Sequence, residues 1–191
     1  MLGRLKRFWV RSTTQLTSGA AIIAAASLVS RLLGLFRDRI LAGQFGAGQV
    51  LDAYYAAFRV PDAIYNIVIM GALSAGFIPV FIAVKNRSEK SGKSDHWRLA
   101  NAFLTTVVLV ISFLSLVVMF FLGQLVDIVA PGFSPEQKVM VARLGRIMLL
   151  SPILLGLSAV LGGVLQSYRN FFVFSLAPIF YNVGIIIGAL F

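Results

Sequence analysis

The sequence predicts an all-α fold, a polytopic bundle of transmembrane helices with about five spans. Three observations carry this. Of the 191 residues, 59% are hydrophobic and 13% charged, against roughly half and a quarter in a soluble domain. Several apolar stretches reach the ~20 residues a helix needs to cross a hydrocarbon core ~30 Å thick. The short alternating segments of a membrane barrel do not occur.

Taken in chain order, the spans fall near residues 17–42, 52–84, 99–122, 139–165 and 172–191, forming one helical bundle over 17–191. A basic N-terminus, residues 1–16, precedes them and carries Arg4, Lys6, Arg7 and Arg11. Followed by the apolar run from Ala20 to Val29, it imitates a signal peptide. The helical pattern continues through Ser30-Arg31-Leu32-Leu33-Gly34 and more spans follow, which favours an uncleaved first helix. The second span is long for one crossing, and Pro61 and Pro79 are expected to bend it. Gly71/Ala75 and Ala72/Gly76 are small-xxx-small pairs that let helices approach closely. The last span runs to Ile185-Ile186-Ile187-Gly188-Ala189-Leu190-Phe191 with no polar tail. A terminal carboxylate near hydrocarbon is costly, so the chain reads as part of a longer protein or as one cut there.

The net charge is +10. The N-terminus and the linkers 85–98 and 166–171 hold ten Lys and Arg residues, whereas linkers 43–51 and 123–138 hold one, Lys138. Basic residues stay cytoplasmic, so the N-terminus is inside and the charge alternates as five crossings require. Basic clusters beside hydrophobic segments also attract anionic membrane lipids. That pattern leaves no nucleic acid partner to invoke. The chain contains no Cys and one His, His96, which sits in a polar linker and reads as solvated. Metal-ligand clusters, Gly-rich phosphate loops and nucleophile–base pairs are missing. No enzyme activity and no cofactor are expected.

Charge inside the spans is the functional signal. The first helix holds Arg31, Arg37, Asp38 and Arg39 in an apolar run. With a span starting near Thr17, Arg31 lies ~21 Å along it, by a rise of 1.5 Å per residue, close to the bilayer midplane. An uncompensated charge there costs at least ~3 kcal/mol. At 100° per residue, Arg31 shares a face with Asp38, and Ser30 shares one with Arg37. Arg39 points elsewhere and snorkels outward. Two readings are open: an ion-pair network between helices, or a site for a substrate or ion. Intramembrane charge usually marks function, which favours the second.

The second helix carries Asp52, Arg59, Asp62 and Asn66, whose spacings of seven, three and four place them on one stripe. A polar stripe on a membrane helix is an inside face. Its expected partner is the charged face of the first helix, since consecutive antiparallel helices tend to be neighbours. Asp52 also suits a helix start, where its carboxylate meets free N–H groups; cap and site are compatible. Arg143 and Arg146 line a cavity or anchor at the interface, and anchoring is favoured. Arginines within a bilayer attract acidic head groups and grip phosphate bidentately. A phosphorylated or acidic amphiphile is the ligand class they suit.

The residues also resemble a family. Ser30-Arg31-Leu32-Leu33-Gly34, Arg37-Asp38 and Phe45-Gly46-Ala47-Gly48 are similar to the start of the MurJ (MviN-type) lipid II flippases. Asp52-Ala53, Phe58-Arg59-Val60-Pro61, Gly71-Ala72, Phe77-Ile78-Pro79, Ala130-Pro131-Gly132-Phe133, Arg146, Pro152, Ala177-Pro178 and Asn182 continue the match in order. The resemblance implies the N-terminal lobe of a two-lobed bacterial inner-membrane transporter of the multidrug/oligosaccharidyl-lipid/polysaccharide superfamily. Its central cavity would open alternately to each side. The substrate would be lipid II, the undecaprenyl-pyrophosphate-linked peptidoglycan precursor, driven by membrane potential or an ion gradient. Arg31, Arg37 and Asp52 match family positions of importance. On this resemblance Arg31, Arg37, Asp52 and Arg59 contact substrate, while Ser30, Asp38, Asp62 and Asn66 line or gate the cavity. The chain departs from the family's usual pattern at Tyr65 and Asn66, where an arginine is common, and at Met70, where an acidic residue is common. A missing C-terminal lobe or a second copy would complete the transporter. Competing readings are an exporter of another lipid-linked oligosaccharide or of drugs, and a truncated scaffold that transports nothing.

Overall fold

The computed structural model describes residues 18–191 with their side chains, apart from 70, 72, 74, 75 and 93, and gives the helical course of residues 2–17 without them. The basic N-terminus and the small pairs built on Ala72 and Ala75 therefore lie outside the described side chains. The chain is all-helical: α1 (Leu2–Phe45), α2 (Gln49–Ile69), a π-helical stretch (Met70–Phe77), α3 (Ile78–Ser91), α4 (Asp95–Val129), α5 (Pro135–Met148), α6 (Ser151–Ser167) and α7 (Phe171–Leu190). Among the described residues, four helical segments are long and apolar enough to cross a membrane: Ser18–Phe45, Asp95–Val129, Pro135–Ser167 and Phe171–Leu190. They coincide with four of the five expected spans, and the protein is a multi-pass membrane protein.

The expected span 52–84 takes a different form. A continuous rod runs from Gln49 to Ser91, but α2 carries Asp52, Arg59 and Asp62, and the π-helical stretch separates it from the short α3. Pro61 lies inside α2 without breaking it, buried against the core. The irregularity instead falls immediately before Pro79, which occupies the first turn of α3. Proline has no N–H to offer the preceding turn, and a π turn there re-registers the carbonyls. The same chemistry divides the fourth span. Pro152 cannot donate to the carbonyl four residues back, and the helix opens at residues 149–150, between α5 and α6.

Linker 85–98 is mostly helix. Only residues 92–94 separate α3 from α4, and Gly92 takes φ +67°, the left-handed region that glycine enters without cost. This corrects the reading of His96. It is 9% exposed in the first turn of α4, with its ring edge-on to Phe81 at 6.1 Å. The tight α3–α4 turn folds it inward. Its Nδ1 is buried and has no hydrogen-bond partner among the described residues.

The chain forms two compact units, residues 45–167 and residues 1–44 with 168–191. In the larger unit, α2, α4, α5 and α6 pack around a core in which Phe81 and Ile111 are fully buried. Phe77 stacks on Phe103 at 4.3 Å and meets Phe81 at 5.3 Å. Small residues set the helix spacing. Ala53, Ala56 and Ala57 pack with Val126 and Val141. A Cβ on Gly156 would come 2.6 Å from Ile111 Cδ1, so α6 packs against α4 closely enough that any side chain there would have to displace that methyl. Close backbone approach is the main source of helix association in lipid. At the turn before α5, Ser134 and Gln137 form a reciprocal capping box with Pro135 at the first helical position.

In the smaller unit, α1 and α7 lie side by side. Gly19 meets Phe171, Ser30 bonds to the Pro178 carbonyl and Arg37 bonds to Asn182. Positions advance together along both helices, so the two run parallel.

Candidate functional site

The polar residues of α1 sit in two distinct settings. Arg31 lies at the centre of the apolar segment 18–45. It is exposed and makes no hydrogen bond or ion pair among the described residues. Arg37 is held from both sides. Its Nε and Nη2 donate to Asp38 Oδ1 at 3.0 and 2.8 Å, and its Nη1 donates to Asn182 Oδ1 at 3.0 Å. The Arg37 side chain is 22% exposed and Asp38 46%. Asp38 therefore pairs with its chain neighbour and not with Arg31, the residue that shares its face. The arginine side chain is long enough to bend across 100° of helix and meet the adjacent carboxylate, a shorter path than the two turns to Arg31. Arg39 is exposed and points away from this network.

Ser30 and Arg37 do converge, on one residue of α7. Asn182 Nδ2 lies 3.1 Å from Ser30 Oγ, 3.2 Å from the Ser30 carbonyl and 3.0 Å from the Pro178 carbonyl. Ser30 Oγ donates to the same Pro178 carbonyl at 3.2 Å. Sequence reasoning gave Asn182 no role beyond its place in the resemblance. The available signal was an amide in an otherwise apolar span, one turn after a proline.

In the larger unit, Asp52, Arg59, Asp62 and Asn66 are all exposed and lie opposite the buried Ala53, Ala56, Ala57, Pro61 and Ile64. They form one stripe on the exposed side of α2. Asp52 stands in the first turn of α2, where its charge opposes the helix dipole favourably. Arg59 has a partner that periodicity could not reveal: its Nη1 donates to the Val129 carbonyl at 2.7 Å. That carbonyl is among the last of α4, which lack partners within their own helix, so Arg59 caps the C-terminus of α4 from α2. Arg143 and Arg146 are exposed on α5, where Arg146 falls in the last turn. At the other end of the unit, Lys85 Nζ donates to the Ser167 carbonyl at the end of α6. Among the described residues no group of acidic, His or Cys side chains could hold a metal ion.

Comparison with known proteins gives this arrangement a context. The family model described as "Lipid II flippase MurJ" matches residues 41–191. The chain belongs to the MurJ lipid II flippase family. A probable lipid II flippase MurJ of Thermotoga maritima is 36% identical over 165 residues, covering 85% of this chain and 33% of that protein. The lipid II flippase MurJ of Burkholderia cenocepacia is 30% identical over 171 residues, covering 88% of this chain and 33% of that protein. A probable lipid II flippase MurJ of Buchnera aphidicola subsp. Schizaphis graminum is 32% identical over the same length. The chain thus spans about a third of the length of the MurJ proteins it matches. Flippases of this family are membrane transporters of peptidoglycan synthesis, not enzymes.

Proposed function

We propose that this chain forms the N-terminal part of a flippase that carries lipid II from the cytoplasmic to the outer leaflet of the bacterial inner membrane by alternating access. The observation that carries the reading is Arg31, an exposed arginine halfway along a membrane-spanning segment with no partner among the described residues. A guanidinium at that depth is too costly to persist without a ligand or water to receive it, and its planar fork matches a pyrophosphate. Arg37, kept charged but held by Asp38 and Asn182, is the second phosphate contact. Asp52, Arg59, Asp62 and Asn66 form the polar face that the larger unit offers to a head group. Arg59 does so while capping α4. Ser30 and Asp38 set the position of Arg37 within the cavity wall.

The test is translocation by the complete protein that this segment begins, in cells depleted of their own flippase. Lipid II should reach the outer leaflet, read by an impermeant reagent that modifies the exposed disaccharide-peptide. The 191-residue chain alone should bind the lipid without moving it, because one lobe cannot enclose a cavity that opens to each side in turn. Accumulation of lipid II in the inner leaflet despite full expression of the complete protein would refute the proposal.

The orientation follows from charge, with the N-terminus and residues 85–98 cytoplasmic. The parallel course of α1 and α7 supports five crossings. Two spans pointing the same way need an odd number of crossings between them, and α4 with the α5–α6 pair supplies only two. The Gln49–Ser91 rod is then the third. The chain lacks native Cys, so Ser91→Cys is expected to label only after permeabilisation, and Gly132→Cys from outside intact cells. The reverse pattern would invert the topology.

A further inference from the structure

We infer that Asn182 is a positioning residue for Arg37: it fixes the guanidinium so that a defined pair of N–H groups remains for an anion. The inference deepens the proposed function and rests on it for the identity of that anion. Asn182 is 7% exposed, in the middle of α7 and one turn beyond Pro178. A buried amide in an apolar helix is strongly destabilising unless it finds partners. Asn182 finds them on both of its ends. The oxygen accepts from the Arg37 cation, and the nitrogen faces two carbonyls and a hydroxyl. Only this orientation of the amide satisfies both sets, so Ser30 and Pro178 lock the amide and the amide in turn locks Arg37.

The guanidinium has five N–H donors, and three are engaged, two by Asp38 and one by Asn182. Among the described residues, one donor is left on Nη1 and one on Nη2. N–H groups on the two Nη atoms are donors that arginine offers to phosphate oxygens. Asp38 alone would hold one edge of the guanidinium and leave Nη1 free to swing. The Asn182 bond from the parallel helix removes that freedom. Pro178 contributes as well: its carbonyl accepts both from Ser30 Oγ and from Asn182 Nδ2, fastening α7 to α1 at the level where Arg37 is needed.

The experiment reads the guanidinium directly. The purified chain, labelled with ¹⁵N-arginine in detergent micelles, is compared with Asn182→Ala, and the Arg37 signals are assigned by their loss in Arg37→Lys. The native Nη1 and Nη2 of Arg37 should give separate, slowly exchanging resonances, which merge in Asn182→Ala while those of Arg39 stay unchanged. Retention of separate Arg37 resonances in Asn182→Ala overturns the inference. A second arm measures binding of undecaprenyl pyrophosphate and of uncharged undecaprenol in nanodiscs. Asn182→Ala should weaken the pyrophosphate about tenfold and leave undecaprenol unaffected. In an Arg37→Ala background the same substitution should cost nothing further. Equal loss of both probes, or a full additional loss in that background, also overturns it, since Asn182 would then only hold two helices together. Merged resonances with pyrophosphate binding unchanged in Arg37→Ala would uphold the positioning of Arg37 and defeat its reading as a phosphate contact.

Discussion

Replacing Arg31 with alanine in the complete flippase is expected to reduce lipid II transport roughly 10- to 100-fold, the loss of a charge-assisted hydrogen-bond pair worth ~1.5–3 kcal/mol, while the protein still inserts and accumulates. The reasoning starts from the contrast within α1. Arg37 has Asp38 and Asn182 as partners, so its charge is compensated inside the protein. Arg31 has none among the described residues and sits at the middle of its span. Removing an arginine that pairs with protein leaves an unpaired carboxylate and destabilises. Removing Arg31 strands no such partner and even lowers the cost of insertion. Arg31→Lys should recover only part of the activity, because lysine keeps the charge and loses the planar fork. Arg39→Ala should change transport little. Transport and abundance need to be measured together for Arg31→Ala, Asp52→Ala and the double mutant. If transport follows abundance throughout, these side chains hold helices together and bind no substrate.

The second large effect is on stability. Phe81 is fully buried where α3 meets α4, against Phe77 and His96. Phe81→Ala should cost about 3–5 kcal/mol, the range for emptying a phenylalanine site in a packed core. The neighbours are aromatic rings already in contact, and they cannot collapse into the space without breaking the Phe77–Phe103 stack. The reference is Phe120→Ala, at a side chain 78% exposed on α4, which should shift the unfolding midpoint far less. Both are read as unfolding transitions of the purified protein in detergent. Similar midpoints for the two variants would contradict the buried aromatic cluster.

Hydropathy alone marked four of the long apolar helices that the structure contains among the described residues, because a 20-residue apolar run in water has no other stable fate. Periodicity likewise placed Asp52, Arg59, Asp62 and Asn66 on one face, since angular position depends only on spacing. What spacing cannot give is the partner. Arg59 reaches the end of α4, 70 residues away, and Arg37 reaches Asn182, 145 residues away. Both contacts depend on tertiary packing. Asp38 shares a face with Arg31 yet pairs with Arg37, because a flexible arginine next door outcompetes a residue two turns off. His96 looked solvated because its neighbours in sequence are polar, and only the α3–α4 turn brings Phe81 over it. The π-helical stretch was hidden because Gly71, Ala72, Ala75 and Gly76 read as small residues for close helix packing, although the two glycines and Pro79 beyond its end are weak helix formers.

The parallel pairing of α1 with α7 also bears on how the chain is made. Asn182 is translated 145 residues after Arg37, which at a synthesis rate of 5–20 residues per second is a delay of about 7 to 30 s. Through that interval α1 occupies the bilayer without its partner helix. Asp38 is the one acceptor for Arg37 that emerges from the ribosome beside it. The Arg37–Asp38 contact thus serves the nascent chain first, shielding the guanidinium while the helix partitions into lipid, and Asn182 completes its coordination only when the final helix arrives.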